Sequence, residues 1–174
     1  NIIWPPIQNG LDSLAMWMAG SGVIGIFLFG FLNRALIPVG LHHVINSYLW
    51  FQMGSFTNAA GDVVMGDIPR FLAGDPTAGV FMTGLYPVFL FGLPGACLAM
   101  YKCAKKDKKS EVKSLMISGA GTCFIAGITE PVEFLFEFVS PKLYLLHCLF
   151  SGLGGAIFYF MNVRLGISYN VDII

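Results

Sequence analysis

Three carboxylates fall within eight residues of the segment Gly127-Ile128-Thr129-Glu130-Pro131-Val132-Glu133-Phe134-Leu135-Phe136-Glu137, at the end of one apolar run and inside a phenylalanine-rich one. Acidic side chains in such surroundings are costly unless they face water, a partner or a ligand. Glu130, Glu133 and Glu137 are spaced three and four apart, so a helix would put them on one face. Pro131 suits the first position of that helix, and Glu130 just before it lies at the N-terminus, where the helix dipole stabilises its charge. Two readings stand. The carboxylates cap a helix at a membrane interface, or they form a polar ligand site on a broken membrane helix, as transporters build at the bilayer midplane. A carboxylate accepts hydrogen bonds from two adjacent hydroxyls at once, which makes sugars natural partners.

A second candidate is Asn33-Arg34-Ala35-Leu36-Ile37-Pro38-Val39-Gly40-Leu41-His42-His43. Two adjacent imidazoles follow a Pro/Gly break, with Arg34 eight residues before His42, and this favours a polar site over simple packing. No metal site is expected, because neighbouring histidines on a helix point about 100° apart and the sequence places no third ligand. His147, alone in an apolar run, reads as a packing residue. Cys97, Cys103, Cys123 and Cys148 show no CxxC spacing and mostly lie in apolar stretches, so they too read as small packing residues. Gly20-Ser21-Gly22-Val23-Ile24-Gly25 matches GxGxxG but has no strand before it, and close helix packing accounts better for its glycines. No G-x-x-x-x-G-K-[ST] is present, so nothing here would hydrolyse ATP in the manner of a Walker-type pump.

The elements that must position these residues belong in lipid. The 174 residues are 56% hydrophobic and only 11% charged, against about 25% charged in soluble domains. With a mean hydropathy of +0.72, this leaves too little polar surface to solvate a globule and excludes a soluble enzyme. Ten basic and ten acidic residues give no net charge, hence no field to attract nucleic acid. The N-terminal Asn1-Ile2-Ile3-Trp4-Pro5-Pro6 has no basic region before an apolar core and does not resemble a signal peptide; the chain reads as cut from something longer.

A membrane helix needs roughly 17–25 apolar residues. Ser13 to Asn33 qualifies as one span, and Leu143 to Val163 as another. Residues 35–57 are uncharged apart from the histidines, yet Pro38 and Gly40 predict a broken or re-entrant element. Residues 58–76 form a polar, Gly-rich loop. Thr77 to Tyr101 should span with a kink at Pro87 or Gly92-Leu93-Pro94-Gly95. Residues 102–113 hold 8 of the 20 charges, six of them lysines. Such a loop faces the cytoplasm and fixes orientation. Ser114 to Thr129 is a shorter apolar stretch that runs into Glu130.

Gly127-Ile128-Thr129-Glu130-Pro131 resembles the GITEP signature of the sugar-transporting IIC domain of the bacterial phosphotransferase system, in the glucose/N-acetylglucosamine superfamily. Asn33-Arg34 with Leu36-Ile37-Pro38 and Gly40-Leu41-His42 resembles a second signature of that family. Phe56-Thr57-Asn58-Ala59-Ala60-Gly61, Gly66-Asp67-Ile68-Pro69-Arg70-Phe71 and Gly74-Asp75-Pro76-Thr77-Ala78-Gly79 are similar to further family blocks, so the resemblance covers nearly the whole chain. Phe81-Met82, Pro87 and the stretch from Gly92 to Tyr101 resemble the N-acetylglucosamine branch more than the glucose branch. After Arg164 the similarity weakens.

The resemblance implies an all-α integral membrane fold of helical spans with re-entrant or broken helices. It implies a multi-pass permease of the bacterial cytoplasmic membrane, in contact with the lipid bilayer, that binds N-acetylglucosamine or glucose and translocates it. A separate phosphorylated IIB domain then transfers its phosphoryl group from a phosphocysteine to the sugar. Glu130 and His42 match the family's sugar-contacting carboxylate and imidazole near the hydroxyl to be phosphorylated, the positions a catalytic role would use, and Thr129 and Arg34 match two further sugar-contacting positions. No cofactor and no metal is implied. Residues 1–174 correspond to part of a IIC transport domain, lacking its N-terminal half and the final helix toward IIB; the full-length protein is expected to be a homodimer. This chain alone is not expected to be active, and the alternative is a truncated, transport-inactive remnant or interaction subunit.

Overall fold

The computed structural model describes residues 4–166, apart from the side chains of Trp4 and Leu11. The weakening similarity beyond Arg164 falls mainly outside this range. Helices dominate: α1 (Trp4–Gly20), α2 (Gly22–Ala35), α3 (His42–Phe51), α4 (Asp67–Leu72), α5 (Leu93–Cys103), α6 (Lys109–Ala126), α7 (Glu130–Glu137) and α8 (Pro141–Phe160). Strands β1 (Ser55–Thr57) and β2 (Val63–Met65) pair antiparallel, with Phe56 opposite Val64. That hairpin is a departure from an all-α fold, and the stretch expected as a loop holds β2 and α4. Asn58 makes the hairpin turn: its side-chain oxygen accepts the backbone N–H groups of Ala60 and Asp62, an arrangement Asn favours.

Two compact units divide the chain. The first comprises, of the described residues, 4–85 and 147–166. In it the expected span from Ser13 to Asn33 is two helices. Gly22 adopts a φ of +57°, which L side chains rarely take up, so the helix stops after Gly20 and α2 restarts. A Cβ on Gly25 would overlap the backbone carbonyl of Met18, so these glycines also serve the close approach of α1 and α2. The chain then makes successive turns from Leu36 to Leu41, where Pro38 and Gly40 interrupt the helix as expected, and re-enters α3 at His42.

The second unit comprises residues 86–146. Its first helix includes a π-helical stretch at Val88–Gly92, bracketed by Pro87 and Pro94. Proline removes an i→i−4 donor, and the irregularity expected around these residues takes that form. Helices α5 and α6 pack together, and a 3-10 turn at Lys106–Lys108 lies within the lysine-rich segment between them.

Among the described residues, two helices are long and apolar enough to cross a membrane, Thr83–Cys103 and Pro141–Phe160; Gly22–Ala35 is apolar but shorter. On α8, Tyr144, Cys148, Ser151, Gly152 and Gly155 are buried, while Leu145, Leu149, Leu153, Ile157 and Phe160 are exposed. Apart from Tyr144, the residues packed inward are small, and large apolar ones point outward. That is the arrangement of a helix solvated by lipid, where close packing rather than water exclusion drives association.

Candidate functional site

Arg34 and His42 belong to the first unit. Arg34 sits in the last turn of α2, where a cation opposes the negative end of the helix dipole. His42 is the first residue of α3. Both are buried. The turns between them are held by backbone bonds: Ile37 N–H donates to the Arg34 carbonyl at 3.1 Å and Leu41 N–H to the Leu36 carbonyl at 3.2 Å. Beneath this connection Asn33 donates its side-chain amide to the side-chain oxygen of Asn46, and both are buried. Asn46 has no marker in the sequence, being a single amide in a short helix. The rings of His42 and His43 lie 3.9 Å apart, tilted by 38°; His42 points inward and His43 is exposed.

Thr129 and Glu130 belong to the second unit. Gly127 ends α6 with a φ of +66°, its N–H donating to the Cys123 carbonyl at 3.0 Å, the left-handed cap that glycine provides. Three residues later α7 begins, with Glu130 as its first residue and Pro131 as its second. This shifts the expected start by one position: Glu130 lies within the helix rather than before it. Its Oε2 accepts the Thr129 N–H at 3.0 Å, so the carboxylate lies at the positive end of the helix dipole. Thr129 Oγ1 donates to Glu133 Oε2 at 3.3 Å, and both residues are buried, Glu133 fully at 0% exposure. Val132 anchors α7; a Cβ on Gly119 of α6 would lie 2.8 Å from its Cγ2 and 3.8 Å from Cys97 Sγ of α5. Thus Thr129, Glu130 and Glu133 form one hydrogen-bonded group. The shared face expected for the carboxylates continues to Glu137, whose Oε2 is buried with no hydrogen-bond partner among the described residues.

The block from Gly66 to Thr83 forms a further polar framework in the first unit, whose internal bonding the sequence did not reveal. Asp67, fully buried, accepts the N–H of Gly79 at 2.9 Å and of Phe81 at 3.2 Å. Burial pushes its carboxyl above the ordinary range, against the opposing pull of the amides of Phe81, Gly79 and Val80 and the charge of Arg70. Arg70 pairs with Asp75 at 2.7 Å and donates to Thr77 Oγ1 at 2.9 Å; Thr77 returns its N–H and O–H to Asp75. Burial raises the Asp75 carboxyl, but the bonds from Thr77 and Arg70 outweigh it and hold the group below its usual range. After α8 the chain returns to this framework, Leu165 N–H donating to the Gly79 carbonyl at 2.9 Å.

Interrupted helices that carry polar groups at their ends, and helices whose outer faces are apolar, fit an integral membrane protein. The sequence family described as Phosphotransferase system, EIIC, matches residues 1–152, and the chain belongs to that family. It is 48% identical over 172 residues to the N-acetylglucosamine-specific EIICBA component of Escherichia coli K12, covering 99% of this chain and 26% of that protein. To the N-acetylglucosamine-specific EIIC component of Streptomyces coelicolor it is 48% identical, covering 99% of this chain and 42% of the other. To the glucose-specific EIICBA component of Staphylococcus carnosus it is 46% identical, covering 97% and 26%. The chain therefore spans less than half the length of these curated relatives.

Proposed function

We propose that this chain forms part of the transport domain of a sugar permease that moves N-acetylglucosamine, or glucose, across the bacterial cytoplasmic membrane and presents it for phosphorylation. The observation that carries this reading is the Gly127-to-Glu133 segment: a left-handed glycine cap, then Thr129 and Glu130 at a helix N-terminus inside an apolar chain of the EIIC family. The sugar specificities of the relatives support the substrate, and their fused EIICBA organisation supports a IIB partner.

In the proposed reaction a sugar hydroxyl oxygen attacks the phosphorus of a IIB phosphocysteine, the P–S bond breaks, and the thiolate leaves. Glu130 accepts the hydrogen bond, and then the proton, of that hydroxyl. His42 and Arg34 orient the sugar and offset developing negative charge, and Thr129 contributes a hydroxyl contact. The lysine-rich segment 102–113 faces the cytoplasm, and the full-length protein is multi-pass and homodimeric. The continuous match over 99% of the chain does not favour an inactive remnant.

The test uses membranes carrying the full product of the gene. Glu130→Gln and His42→Ala should each lower sugar uptake and phosphoryl transfer by about two orders of magnitude or more, the scale of a general base or charge-stabilising group. Uptake and phosphorylation left intact in both variants would overturn the assignment.

A further inference from the structure

Helices α1 and α3 pack together in the first unit, and a cleft of about 230 Å³ opens between them, lined by Gln8, Asp12, His43, Val44, Ser47 and Gln52. The sequence explains why it is polar. Gln8 and Asp12 are four apart on α1, His43 and Ser47 four apart on α3, so each helix carries a polar stripe along one face. Five of the six lining side chains are capable of hydrogen bonding: two carboxamides, a carboxylate, an imidazole and a hydroxyl. Asp12 is the sole Asp, Glu, Lys or Arg before Arg34. A carboxylate among apolar helices is retained where water or a ligand meets it.

This donor and acceptor set is the complement of a neutral polyol. Carboxamides and hydroxyls both give and take hydrogen bonds, and a carboxylate accepts from vicinal hydroxyls. The volume lies just below the range of about 300–1,000 Å³ for pockets that enclose drug-sized ligands, and so suits a single sugar ring. With a carboxylate and neither lysine nor arginine in its lining, the cleft disfavours a phosphorylated sugar. It also adjoins the reaction site proposed above: the ring of His43, in the cleft wall, lies 3.9 Å from that of His42.

We propose that the α1–α3 cleft is a loading subsite, a separate low-affinity position for the unphosphorylated monosaccharide before it reaches His42. The inference rests on the sugar-permease reading. It is tested in membranes carrying the full gene product with Ser47→Cys, by following alkylation with a small neutral maleimide through mass spectrometry of that peptide. N-acetylglucosamine should slow the labelling at least about fivefold, its phosphorylated form should not, and the slowing should persist when Glu130→Gln is added. Gln8→Cys repeats the measurement from the opposite wall. Asp12→Asn should raise KM for uptake about five- to tenfold with kcat within twofold. Labelling that the sugar leaves unchanged, slowing that vanishes with Glu130→Gln, or an unchanged KM for Asp12→Asn overturns the subsite. The permease reading is judged separately, on loss of phosphorylation in Glu130→Gln alone.

Discussion

Asn33 on α2 donates its side-chain amide to the side-chain oxygen of Asn46 on α3 at 2.5 Å, tying the helix that ends near Arg34 to the helix that starts at His42. Both partners are buried, so removing one leaves the other unsatisfied, which costs about 1–3 kcal/mol. Asn46→Ala should lower the thermal midpoint of the detergent-solubilised protein and raise KM for sugar as Arg34 and His42 lose their shared support. Asn46→Leu keeps the size of the side chain without the acceptor oxygen and should lose about as much as alanine. Recovery of both readouts in Asn46→Leu would show that shape, not the hydrogen bond, matters at this position.

Asp67 accepts two backbone amides from the segment that leads into the Thr83–Cys103 helix. Asn in its place keeps one acceptor oxygen and turns an NH₂ toward the other amide. Asp67→Asn should therefore destabilise the protein by about 1–3 kcal/mol. Hydrogen exchange gives the local readout: the amides of Gly79 and Phe81 should exchange faster, while those of α6 keep their protection. Unchanged exchange at Gly79 would show that the bond contributes nothing to holding this segment.

Much of this architecture is legible in the sequence wherever the signal is an absence. The uncharged runs identify α8 and the helix ending at Cys103, and Pro38 with Gly40 identifies the interruption before His42. Gly127 and Pro131 mark the end of one helix and the start of the next, one residue away from the expected start. The break at Gly22 is hidden, because glycines that stop a helix and glycines that let two helices approach look alike in an apolar run. The hairpin is hidden because three-residue strands are too short to show alternation. Asn46 and the double acceptor role of Asp67 are hidden because their partners lie more than ten residues away.

Asp75 supplies a pH dependence. Its folded-state carboxyl sits below the ordinary value of 3.8 despite burial, because Thr77 and Arg70 favour the ionised form. A depressed folded pKa contributes stability that is fully present above the unfolded pKa and is lost as pH falls through the folded one. The stability difference between the native protein and Asp75→Asn should thus stay constant from neutrality down to about pH 4 and then shrink on further acidification. Thermal midpoints measured across that range check it, and a difference that shrinks already near pH 6 would point to another group.

Glycines at two kinds of position should respond to alanine with opposite signs. On α2, a Cβ at Gly30 would lie 2.7 Å from the Ser151 carbonyl oxygen and 3.0 Å from the Gly152 Cα. A Cβ at Gly152 would in turn lie 2.6 Å from the Phe27 carbonyl oxygen. Backbone atoms on both sides cannot swing away as a side chain would, so α2 and α8 must separate. Gly30→Ala and Gly152→Ala should each cost about 1–3 kcal/mol, the range for overpacking. Gly121, within α6, has nothing within 4 Å of its Cβ position. There alanine reduces only the freedom of the unfolded chain and should stabilise by about 0.5–1 kcal/mol. Thermal midpoints in one detergent should place Gly30→Ala below the native protein and Gly121→Ala at or above it; the reverse order would mean that α2 and α8 do not approach closely in the membrane.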